Sequence, residues 1–74
     1  MEKEFLNFIA EVFGVEVAKI SLNTEYQSIP EWDSLMHLRL VAEIEEKYGV
    51  EIPIDDVANI KTLNDIFLHI KDKR

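Results

Sequence analysis

Apolar residues fall into three stretches of helical spacing, interrupted by a segment with no period at all. Over about 3–13, Phe5, Phe8 or Ile9, and Val12 recur at intervals of three and four among Glu2, Lys3, Glu4, Asn7 and Glu11, and Gly14 supplies a stop. That predicts one amphipathic helix. From Val15 to Trp32 the period is lost, although Val15, Val17, Ile20, Leu22, Tyr26 and Ile29 keep the segment from being a polar linker. It reads as a long loop held down by apolar anchors, and loops of this length in small domains are usually functional when they are ordered. The strongest helical signal runs from Ser34 to Tyr48, with Asp33 as N-cap and Gly49 closing the other end. Val50-Glu51-Ile52-Pro53 is extended, because Pro53 disfavours helix in the residue before it. Residues 55–60 have room for one or two turns, with Asp55 and Asp56 where a helix start favours acids. Thr62-Leu63-Asn64-Asp65 matches a capping signature and opens a last helix that carries Leu63, Ile66, Phe67 and Ile70 and ends on Lys71, Lys73 and Arg74. The predicted fold is all-α: a small four-helix bundle of three main helices and one short one, with a long loop between the first and second, and no strand.

Stepping about 100° per residue along the second helix separates two apolar faces. His37, Leu40, Val41, Ile44 and Tyr48 make the core face. Opposite lie Leu35, Leu38 and Ala42, with Arg39, Glu43 and Glu46 around them. Those leucines are either ordinary surface residues or the centre of a partner-docking patch with a charged rim.

The length of 74 residues admits one domain, spanning 1–74, whose core is too small to enclose a large active site. Fifteen acidic against eight basic residues give a net charge of -7, which disfavours nucleic acid and anionic lipid and favours basic partners. The chain contains no cysteine, so disulfides, thiolate metal sites and a thiol nucleophile are excluded. No apolar run is long enough to span a membrane, and the first residues do not resemble a secretory signal, so a cytoplasmic location is expected. No nucleophile stands with a base and an orienting third group in any recognisable motif, and the protein is expected not to be an enzyme.

The start of the second helix, Ile29-Pro30-Glu31-Trp32-Asp33-Ser34-Leu35, concentrates the remaining chemistry. A serine in the first helical turn has free backbone N–H groups nearby that favour an anion on its oxygen, and the spot suits a phosphodiester. The plainer alternative is that Asp33 and Ser34 only cap the helix.

Asp33-Ser34-Leu35, Glu45-Glu46, Glu51-Ile52-Pro53 and Ile60-Lys61-Thr62-Leu63 together resemble the acyl carrier protein family, without a needed gap from Trp32 to Ile70 and more loosely before it. The resemblance implies phosphopantetheine, donated by coenzyme A through a phosphopantetheinyl transferase and attached to Ser34, with acyl groups carried as thioesters on its terminal thiol. It implies that Asp33 helps hold the metal ion in the transferase complex. It implies a partner face of Leu35, Met36, Leu38, Arg39, Ala42, Glu43 and Glu46, read by an acyl-activating ligase, acyltransferase or condensing enzyme with a basic docking face. It also implies a cargo pocket between the second and third helices, where Tyr26, Leu40, Ile44, Ile52, Val57, Ile60 and Ile66 are either pocket wall or plain core. Met36, Arg39 and Lys47 stand where carriers of fatty acid synthesis usually have acids, and Trp32-Asp33-Ser34-Leu35-Met36-His37-Leu38 looks more like free-standing carriers of specialised pathways. A monomer is expected. A peptidyl or aminoacyl carrier, and an unmodified interaction module with the same fold, are the alternatives.

Three further signals admit two readings each. His37 and His69 are too few and too far apart for a zinc site, and His37 reads as a helix-face residue near the pocket mouth. Asp55 and Asp56 either start a helix or attract a cation. Trp32 either plugs the loop against the bundle or stacks on the arm or a partner.

Overall fold

A computed structural model describes residues 1–72; the basic end expected at Lys73 and Arg74 lies outside them. Four α-helices follow in order: α1 (Glu2–Phe13), α2 (Ser34–Tyr48), α3 (Ile54–Ala58) and α4 (Leu63–Asp72), and no strand is present among the described residues. The radius of gyration of 11.1 Å is that of a close-packed chain of this length.

Glycine ends both long helices for the expected reason. Gly14 and Gly49 have φ of 76° and 64°, the left-handed conformation that costs a residue without a Cβ nothing. At Gly14 the turn is completed by Val15 N–H donating to the Ala10 carbonyl at 3.0 Å. In α1 the choice between Phe8 and Ile9 falls to Ile9, which is buried with Phe5, Ala10 and Phe13, while Phe8 and Val12 pack half-buried at the edge. Leu63, Ile66, Phe67 and Ile70 of α4 are buried together with Leu40, Val41 and Ile44 of α2.

One sequence expectation needs correction. The short helix runs over Ile54–Ala58, not 55–60: the Pro53 carbonyl accepts from Asp56 and Val57 N–H at 2.9 and 3.0 Å and so opens it earlier. It closes at Asn59, whose side-chain amide donates to the Asp55 carbonyl, and Ile60 leaves the helix to enter the core. The long connection is the anchored loop expected, with local order of its own. It contains a 3₁₀ turn at Val17–Lys19 and an isolated antiparallel pairing of Glu25 with Thr62.

That pairing fixes the loop to the head of α4. Tyr26 N–H donates to the Lys61 carbonyl at 2.8 Å, while Leu63 and Asn64 N–H donate to the Thr24 and Leu22 carbonyls at 3.1 and 2.9 Å. The loop carbonyls thereby take up helix-terminal donors that would otherwise need water or side chains. Glu45 makes a second tie: its carboxylate accepts from Ile52 N–H at 2.9 Å and holds the extended segment against the end of α2.

Candidate functional site

Loop and helix meet at Trp32. Its side chain is fully buried, with ring centroids 5.6 Å from both Phe13 and Tyr26, so it plugs the loop against the bundle. The indole N–H donates to His37 Nδ1 at 3.0 Å. An indole has no acceptor, so Nδ1 must be the accepting nitrogen, the proton sits on Nε2, and Nε2 donates to the Val57 carbonyl at 3.1 Å. Tyr26 stacks on the imidazole at 4.6 Å. His37 is buried and joins the loop, α2 and α3 through one ring.

On this base the chain turns outward. Asp33 is the N-cap, its carboxylate accepting from Met36 N–H at 2.8 Å, and its carbonyl accepts from His37 N–H at 2.8 Å. Ser34 is the first helical residue and is exposed. Of the two residues read as caps, Asp33 alone does the capping; the Ser34 hydroxyl forms no hydrogen bond with the described residues. The N–H groups of Ser34 and Leu35 are likewise without a partner in the described chain. An accessible hydroxyl beside free amide donors at the positive end of a 15-residue helix fits a phosphodiester.

The residues expected on the partner face run along α2 and differ in exposure. Leu35 and Leu38 are 78% and 63% exposed, and Ala42, Arg39 and Glu46 are also exposed. Met36 is half-buried and packs against the core cluster. Arg39 Nε lies 3.6 Å from a Glu43 carboxylate oxygen, one turn along the helix, so the two charges partly offset each other. Leu35, Met36, Leu38 and Arg39 join Pro30, Glu31 and Asp33 around a groove of about 560 Å³ beside Ser34; Ala42, Glu43 and Glu46 lie beyond it. Pro30 and Glu31, singled out with the start of α2, are brought to the groove by the loop path, and Ile54 is 84% exposed at the start of α3.

Of the residues expected as pocket wall or core, Leu40, Ile44 and Ile66 have no exposed surface, Ile52 and Ile60 are buried, and Tyr26 and Val57 pack partly buried against the same cluster. Asp55 and Asp56 occupy the first turn of α3, and an Asp56 carboxylate oxygen stands 3.8 Å from His69 Nε2. Among the described residues no three His, Asp or Glu side chains converge as a metal-ligand set, and no helix is long and apolar enough to cross a membrane.

Known proteins bear on this geometry directly. Residues 3–70 match the family model described as "Phosphopantetheine attachment site". The chain is 30% identical to an acyl carrier protein of Rickettsia typhi over its whole length and 86% of that relative, and 29% identical to one of Rhodococcus erythropolis over 92% of this chain and 75% of the other. It is 33% identical to a meromycolate extension acyl carrier protein of Mycobacterium tuberculosis, over 85% of this chain and 55% of that protein.

Proposed function

Because the chain belongs to the acyl carrier protein family, and so carries acyl groups on a covalently attached phosphopantetheine arm, we propose that the arm is held by Ser34. The observation that carries this assignment is the exposed Ser34 hydroxyl at the head of α2, left free because Asp33 supplies the cap. When bound, the arm supplies a thiol that holds acyl groups as thioesters. In loading, the Ser34 Oγ–P bond forms as the pyrophosphate of coenzyme A is cleaved. The hydroxyl proton passes to a base of the phosphopantetheinyl transferase, and the nucleotide half departs. The free N–H groups of Ser34 and Leu35 favour the phosphate that then stands on Oγ. Asp33 has one carboxylate oxygen engaged as the cap and the other available to the transferase's metal ion.

The chemistry of activation and transfer belongs to the partners, and this chain positions and presents. The partners proposed are the transferase and an acyl-activating ligase, acyltransferase or condensing enzyme with a basic face. They meet a monomeric carrier in the cytoplasm. Service in a specialised pathway, not the main fatty-acid one, is supported by Met36 and by the exposed Arg39, whose pairing with Glu43 removes negative charge from the rim. Rim charges contribute little affinity but much selectivity.

Intact mass before and after incubation with coenzyme A, magnesium and a broad-specificity transferase tests the site. One added phosphopantetheinyl group, mapped to Ser34 and absent from Ser34→Ala, is the expected result, and a Ser34→Ala protein that still gains it removes the assignment. Arg39→Glu is expected to raise acyl transfer by enzymes of fatty acid synthesis; an unchanged rate would remove the rim from the account of selectivity.

A further inference from the structure

We propose that His37 receives the loaded group where it enters between α2 and α3, its Nε2–H passing from the Val57 carbonyl to an oxygen of the arm or of the acyl cargo. The inference rests on Ser34 as the attachment point and on the gap between α2 and α3 as the way in. Three positions on from Ser34, His37 reaches from α2 to α3 through its 3.1 Å bond to the Val57 carbonyl. Apart from the indole of Trp32, its ring is the only polar side chain among the buried residues described. A group that enters there meets a single donor in apolar surroundings, where Leu40, Ile44, Ile52 and Ile60 are all buried.

The imidazole is firmly held and α3 is not. Nδ1 accepts from the Trp32 indole at 3.0 Å and Tyr26 stacks on the ring at 4.6 Å, so its position and tautomer are set from the loop side, independently of α3. α3 has five residues, no side-chain cap and no buried residue. Of its apolar side chains only Val57 packs against the core cluster, and Ile54 is exposed. The contact of Asp56 with His69 of α4, at 3.8 Å, is long and lies partly in solvent. Moving α3 aside therefore parts Val57 from His37 and leaves the imidazole in place. The two groups then fare unequally. The Val57 carbonyl keeps a second donor, the Ile60 N–H at 3.4 Å. The His37 Nε2–H makes no other bond with the described residues, and a buried donor left unmade lowers the population of the open form roughly tenfold or more. An entering oxygen removes that cost and a purely alkyl stretch at the same depth does not. The donor thus selects groups that bring a carbonyl or hydroxyl oxygen opposite His37.

The test is made on the full chain loaded in turn from coenzyme A, octanoyl coenzyme A and 3-oxooctanoyl coenzyme A, with the added mass on Ser34 verified first. In protein labelled with nitrogen-15 and carbon-13, the His37 Nε2–H proton and the Val57 carbonyl carbon are expected to shift together on loading, while the proton stays protected from exchange with water. A nuclear Overhauser contact from that proton to the methylenes beside the new acceptor is expected as well. Contacts to arm methylenes in all three forms assign the oxygen to the arm, contacts to methylenes of the acyl group assign it to the cargo, and either supports the inference. Resonances unchanged in all three forms would mean that Val57 keeps the donor, and would overturn it. An Nε2–H that exchanges freely with water on loading would overturn it equally. A loaded Ser34 with either of those results leaves the attachment standing, whereas no mass gain on Ser34 removes both.

Discussion

The heads of α2 and α4 begin with the same chemistry and are finished differently. At α4, Leu63 and Asn64 N–H are taken by loop carbonyls and Asp65 N–H by Thr62, while the Asp65 carboxylate returns to Lys61 and Thr62 N–H at 2.8 and 3.1 Å. The first three amide donors there are engaged within the chain. At α2, Asp33 accepts from Met36 and stops, leaving the two preceding amides and a serine hydroxyl facing solvent. One helix start is a structural joint. The other is kept open, and its stability comes from Trp32 and His37 beneath it, where buried packing replaces the hydrogen bonds that a closed terminus would make.

If that contrast is right, removing the support under the open end has the largest effect. Trp32→Ala is expected to cost about 3–5 kcal/mol, the range for deleting a buried aromatic side chain. Trp32→Phe keeps most of the ring volume but leaves His37 Nδ1 without its donor, and is expected to cost about 1–3 kcal/mol. Urea unfolding of the two variants separates packing from the hydrogen bond; equal losses would mean that the ring packing kept by phenylalanine contributes nothing. Next come the two caps. Asp65→Ala removes the acceptor of two amides and is expected to cost about 2 kcal/mol. Asp33→Ala removes the acceptor of one and should cost about 1 kcal/mol. A reversed order, read from the same unfolding midpoints, would break the comparison. The smallest effect belongs to the loop between the two helix heads. Gln27 has a φ of 67°, strained for a residue with a Cβ, inside a turn closed by Ser28 N–H on the Glu25 carbonyl. Gln27→Gly relieves the strain and adds freedom to the unfolded chain, so a net gain within about 0.5 kcal/mol is expected in thermal unfolding.

The features legible in the sequence are those set by near neighbours. A 3.6-residue period, an aspartate before it and a glycine after it define α2, and Thr62 with Asp65 announces α4, because each signal acts within one or two turns. What stayed hidden depends on distant groups. Nothing local tells that Glu25 pairs with Thr62, that Glu45 reaches Ile52, or that an indole and an imidazole five positions apart meet beneath a helix cap. α3 starts one residue earlier than its acidic residues suggest, because Pro53, a break for the chain before it, offers the carbonyl that begins the helix after it. At the site, Asp33-Ser34-Leu35 marked the position, but only the coordinates separate the capping residue from the free hydroxyl. The groove needed the path of Pro30 and Glu31, which no period encodes.

The pairing of Glu25 with Thr62 also sets an order of events as the chain is made. Beyond its own local turns, the loop that leads into Ser34 finds its backbone partners in Lys61, Leu63 and Asn64, far downstream, so α1 and the body of α2 can form before the loop has its distant partners. Until those residues are in place, the loop before Ser34 lacks its distant anchor. The loop around Ser34 is thus held by contacts distant in sequence, which close later in folding than the helices on either side.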